Sequence, residues 1–176
     1  MSKDLSCEAM RMLASRQIEQ NVHHFLVLSK DAVNEVFKDN ITYQEYFALL
    51  AEDGLKNYFQ TLKKIAKYDP FQKQKFTESQ LEQNMSTISI KLWKGPYLYS
   101  EIERCERLNK TIEHLTKAIE NKLTNLNLYQ SYHERAKNKQ IKSILSKAMN
   151  NENFVLTDLN CILLKHITLC QESHQE

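Results

Sequence analysis

Two glycines (Gly54, Gly95) and two prolines (Pro70, Pro96) are all the backbone punctuation in this 176-residue chain. Tight β-hairpin turns and phosphate-cradling loops draw on glycine for left-handed backbone and close approach, so both have almost no raw material here. A helix needs neither. The remaining sequence is rich in Leu, Lys, Glu, Gln, Asn and Ile, and its apolar residues recur at spacings of three and four. These features predict an all-α protein.

The pattern resolves into five helical stretches. The first runs over residues 5–38, with Leu5, Ala9, Met12, Ile18, Val22, Phe25, Leu26, Val33, Val36 and Phe37 on its apolar side, and ends near "KDN". Thr42 and Glu45 then form a T-x-x-E capping box, which satisfies orphan N–H groups at a helix start. The helix it opens carries Tyr43, Phe47, Leu50, Tyr58, Leu62 and Ile65. "YDPF" stops this helix and starts another, with Asp69 as N-cap and Pro70 in the first turn; Phe71, Leu81, Met85, Ile88 and Leu92 follow. After Gly95 and Pro96 comes the strongest periodicity: Leu98, Ile102, Cys105, Leu108, Ile112, Leu115, Ile119, Leu123, Leu126 and Tyr129. Beyond "KNKQ" a last stretch carries Ile141, Ile144, Leu145, Ala148, Val155, Leu159, Ile162, His166 and Cys170, with "NNEN" either breaking it or standing exposed. The expected architecture is one domain: an antiparallel four-helix bundle of two hairpins over residues 42–170, with the helix of 5–38 as an addition.

No apolar run approaches the roughly 18 to 20 residues that span a bilayer, and "MSKDLSCEAM" has no signal-peptide apolar region, so a cytoplasmic protein is expected. Cys7, Cys105, Cys161 and Cys170 lack C-x-x-C spacing and read as reduced, structural thiols.

The second and third helices overlay on the fourth and fifth with an offset of 70 residues, matching Tyr58 with Leu128, Ala66 with Ala136, Glu82 with Glu152 and Met85 with Val155. On these residues the chain resembles the ferritin-like superfamily, closest to the rubrerythrin style. "AEDGLKNYFQTLKKIAKYD" looks like its first ligand helix, "ESQLEQNM" like its second, and "AIENKLTNLNLYQSYHERAKNKQIKSILSKAMNNENFV" like the second pair. The resemblance implies a bundle with a central di-metal site built from a Glu on each of two helices and a Glu-x-x-His motif on each of the other two. Glu52, Glu82 and Glu152 stand at three of the Glu positions. Lys122 holds the fourth, while Met85 and Val155 replace the two histidines. Three carboxylates beside an ammonium, with no imidazole, make a poor di-metal site, so the three are vestigial candidates and no metal or other cofactor is expected.

Two further pairs have zinc-compatible spacing, Glu19 with His23 and His166 with Cys170, yet neither has the four ligands of a structural site. Tyr132, His133 and Glu134 come with no nucleophile placed by sequence, and Trp93 reads as an anchor for the Gly95 turn. No catalytic set is expected.

Charge is the better functional clue. Residues 56–94 carry 8 basic and 3 acidic groups and residues 134–150 carry 5 and 1, so two basic segments lie between acidic ends. Lys63, Lys64, Lys67, Lys73 and Lys75 flank the turn at Asp69; Arg135, Lys137, Lys139 and Lys142 flank the one at Asn138. If residues 86–100 form a short turn, the nine cations crown one end of the molecule; if they form a long crossover, the patch is split. The expected function is non-enzymatic: a regulator, adaptor or inhibitor that binds a protein with an acidic surface. The alternative is a ferritin-like metal-binding or oxidoreductase protein with a degenerate site. Nucleic acid is disfavoured, because the sequence has no Arg-rich helix and no aromatic and glycine interleaving. Self-association is left open.

Overall fold

The computed structural model describes residues 23–68 and 101–175. Within them the protein is mostly helical, with α1 (His23–Asp31), α2 (Tyr43–Tyr68), α3 (Glu101–Arg135) and α4 (Lys139–Gln175), and one small hairpin of β1 (Val36–Lys38) and β2 (Ile41–Thr42). The expected helix around Phe71 to Leu92, the stop at Pro70, the Gly95–Pro96 turn and the segment 86–100 lie outside the described residues.

Two of the sequence-based boundaries, at Thr42 and at Asn138, hold. Thr42 caps α2 as predicted, its Oγ1 accepting from the Glu45 N–H at 3.2 Å. Asn138 separates α3 from α4: its Oδ1 accepts from the N–H groups of Gln140 (2.8 Å) and Ile141 (3.3 Å). Residues 150–153 do not break α4, which runs through them.

Of the first helix, residues 5–22 lie outside the described residues, and its end needs correction. It ends at Asp31, well short of Lys38, and residues 36–38 are a strand. Val33, Val36 and Phe37 suit helical spacing, but β-branched and aromatic residues suit a strand as well. What decides is the turn. Asp39 (φ 50°) and Asn40 (φ 62°) both adopt left-handed backbone, the two-residue geometry that a hairpin demands, and Asp and Asn reach it without glycine. The pairing sets Val36 against Thr42 and Lys38 against Ile41, with a bulge between. Phe37 thereby lands on Tyr43 and Tyr46, with ring centroids 5.3 and 4.9 Å away. The shortened α1 has its last carbonyls satisfied from outside: Arg107 donates to Lys30 O, and the buried Gln44 amide donates to Ala32 O at 2.9 Å.

Side-chain contacts fix the directions of the helices. His24 meets His114, Lys30 meets Arg107 and Glu35 meets Arg104, so α1 runs antiparallel to α3. Tyr43 meets His166, Tyr46 hydrogen-bonds Asp158 and Tyr58 hydrogen-bonds Glu152, so α2 runs antiparallel to α4. The pairs α1 with α2 and α3 with α4 are antiparallel through their short connections. Each helix therefore packs on two others, in the order α1, α2, α4, α3 around the centre. α1 is thus not an addition outside the packed helices: its Phe25 and Leu28 are buried in the same core as Phe47, Leu55, Leu115, Leu145 and Leu159. Because α2 and α3 point the same way, Tyr68 and Glu101 lie at opposite ends.

Candidate functional site

The basic residues come first. Lys63, Lys64 and Lys67 sit on the last turns of α2, with Lys64 and Lys67 exposed and Lys63 half-buried. Because α2 runs against α4, these turns advance past the Tyr58–Glu152 contact toward the α3–α4 connection at 136–138. That connection and its flanks carry Arg135, Lys137, Lys139 and Lys142. The structure brings these seven to one end of the molecule; Lys73 and Lys75 lie outside the described residues. Lys147, exposed on α4 beyond Lys142 and part of the basic segment 134–150, was not among the cations assigned to the turn and lies toward the same end. The Arg135 guanidinium lies over the Tyr132 ring, 5.4 Å from its centroid, which holds a long cation at the rim. The N-terminus of α4, capped by Asn138, points to this end too, and the helix dipole adds partial positive charge there.

The interior holds a second feature. Lys122, only 2% exposed, projects from α3 into the centre, where its Nζ lies 2.9 Å from Glu152 Oε2 and donates to the Tyr58 hydroxyl at 2.8 Å. Tyr58 passes the bond on, donating to Glu152 Oε1 at 3.3 Å. The ammonium contact with Oε2 is an ion pair out of hydrogen-bond alignment, so that oxygen keeps acceptor capacity. The Phe25 and Tyr58 rings flank the ammonium, each with its centroid 5.5 Å away. Burial, and then the Glu152 charge, push the Tyr58 and Tyr129 hydroxyls well above the ordinary phenol range, so both stay neutral donors. A cavity of about 40 Å³ opens beside this group. A water needs about 10–15 Å³ on the same measure, so there is room for one against Glu152.

Of the two vestigial carboxylates among the described residues, Glu152 lies in the interior and Glu52 does not. Glu52 lies on the outside of α2 with its side chain 39% exposed, paired 3.2 Å from Lys56. Glu82 is outside the described residues. The 70-residue overlay, which equates Glu52 with Lys122, therefore joins an outer and an inner position. Of the two pairs with zinc-compatible spacing, His166 and Cys170 are engaged elsewhere. His166 is buried with Nδ1 donating to Ile162 O at 2.9 Å, and the Cys170 thiol donates to Asn109 Oδ1 at 3.4 Å. His23 is exposed, and Glu19 lies outside the described residues. Among the described residues, no three His, Cys, Asp or Glu side chains come together as metal ligands, and no helix is long and apolar enough to cross a membrane.

One polar contact escaped sequence reading. His24 on α1 donates through Nε2 to His114 O at 3.0 Å, and the two rings meet edge to face. His114 in turn lies 3.7 Å from Asp31. Comparison of the chain with family models, with characterised proteins and with solved structures finds no match.

Proposed function

We propose that the chain is an antiparallel four-helix bundle, completed by α1, that acts without catalysis by capturing an acidic protein surface at its basic end. The observation that carries this reading is the antiparallel course of α2 and α4, which gathers Lys63, Lys64, Lys67, Arg135, Lys137, Lys139 and Lys142 into one field although more than 65 residues separate the two groups in sequence. A compact field of one sign raises the encounter rate and selects partners of the opposite sign. Lys64, Lys67, Lys137 and Lys139 are all exposed, so reversing them to Glu together leaves the core untouched. Wild-type protein is expected to capture a partner from native lysate, and the reversed variant to lose it with its melting temperature unchanged. Capture that survives the reversal contradicts the reading.

A ferritin-like ancestry is a second reading. Two hairpins, α1 with α2 and α3 with α4, joined by a connection whose ends lie at opposite ends of the molecule, have the connectivity of such a bundle. In this reading the Lys122 ammonium neutralises Glu152 from inside the chain, the task a metal cation performs in the superfamily. Elemental analysis of protein purified without chelator is then expected to find iron, manganese and zinc each far below one equivalent; a full equivalent of any of them would overturn the exchange of ammonium for metal.

A further inference from the structure

We infer that α4 presents a self-complementary outer seam through which two copies of the chain associate antiparallel. Residues 147, 151, 154, 158, 161, 165, 168 and 172 follow spacings of four and three, the repeat that keeps one stripe of a helix facing a neighbouring helix. None of them is buried in the core. One large apolar side chain of the stripe is out of keeping with its exposure, Phe154 at 76%, and Leu164, at the edge of the stripe, is 67% exposed. Beside it, Val36, Cys161, Leu164 and Leu169 line an open groove of about 500 Å³, rimmed by Lys165 and Glu172.

Charge selects both the occupant and its direction. With the two-fold axis between residues 159 and 160, Lys147 of one copy meets Glu172 of the other, twice by symmetry. Phe154 meets Lys165, whose methylene stem and ammonium both suit an aromatic face, and it reaches the groove of the second copy. A parallel pairing sets Lys147 on Lys147 and Glu172 on Glu172. An antiparallel pairing slipped by seven residues sets Lys147 on Lys165. Only the first register places opposite charges at both ends and an aromatic knob against an apolar groove, as an isologous interface requires. Asp158, next to the axis, does not oppose it, being held by the Tyr46 hydroxyl and Lys38. Cys161, an exposed free thiol, falls beside the axis. Helix geometry sets its Cα about 7–10 Å from that of the second copy, within reach of a short bismaleimide.

Sedimentation equilibrium of the full chain, up to about 500 µM, covers the affinity range of a small interface. A reversible monomer–dimer equilibrium is expected. Phe154→Asp should weaken it at least about tenfold with the helical circular dichroism signal unchanged. Glu172→Lys should weaken it as well, and Lys147→Glu added to Glu172→Lys should restore it. A variant whose sole cysteine is Cys161 should be trapped as a dimer by the bismaleimide, and one with Cys105 alone should not. A monomer throughout this range, leaving the seam to a different partner, overturns the inference. So does a dimer indifferent to Phe154→Asp and Glu172→Lys.

Discussion

Lys122 shows what a single residue imposes on this interior. A buried ammonium is tolerable only while its counter-charge and hydrogen-bond partners are in place, and here Glu152 and Tyr58 supply them. Replacing Lys122 with Met strands the Glu152 carboxylate and should cost about 3–5 kcal/mol in denaturant unfolding. Adding Glu152→Leu to Lys122→Met removes the stranded charge and should recover most of that loss; no recovery would mean that the pair does not act as a unit. Half of this arrangement was legible in the sequence. A helical wheel places Glu152 within an apolar stripe, which marks it as buried and in need of a partner. Lys122 was read only as a departure from a carboxylate pattern. Its pairing spans two facing helices, thirty residues apart, and periodicity along one helix carries no information about what faces it.

At the scale of elements, α2, α3 and α4 follow from apolar spacing, the Thr42 cap and the Asn138 cap, all of them local signals. The end of α1 and the β1–β2 hairpin did not, because Val36 and Phe37 satisfy both a helix and a strand, and the left-handed turn at Asp39 and Asn40, which no glycine announces, decides between them. The hold of α1 on its neighbours also depends on pH. Burial lowers the basicity of His24, outweighing the hydrogen bond to His114 O that raises it; burial likewise lowers that of His166 on α4, which packs edge-on against Tyr43. A histidine with a depressed folded-state pKa leaves the unfolded chain binding more protons once pH falls below the ordinary value of 6.5. The stability contributed by neutral His24 and His166 is therefore complete above that value and is lost as pH falls from it toward their folded-state pKa values. The melting temperature should drop between pH 7.5 and pH 5, by the ordinary linkage of buried histidines. His24→Gln keeps a donor for His114 O but cannot take a proton, so it should flatten part of that drop. An unchanged pH profile in this variant would remove His24 from the account.

At the scale of the whole molecule, the grouping of cations is a product of topology. The sequence offered two outcomes, one crowned end or a divided patch, and could not choose, since the choice rests on which way each helix runs. The antiparallel contacts of Tyr43, Tyr46 and Tyr58 along α4 carry Lys63, Lys64 and Lys67 toward Lys137 and Lys139. α2 and α3 accordingly run parallel, the relation that sequence reading associated with a single crowned end. The most direct measurement of the central claim is the affinity of the captured partner at low salt for wild type and for the variant with Lys64, Lys67, Lys137 and Lys139 all changed to Glu. Binding weaker by at least about tenfold is predicted, because four repulsive contacts replace four attractive ones. Equal affinities would contradict the basic end as the working surface.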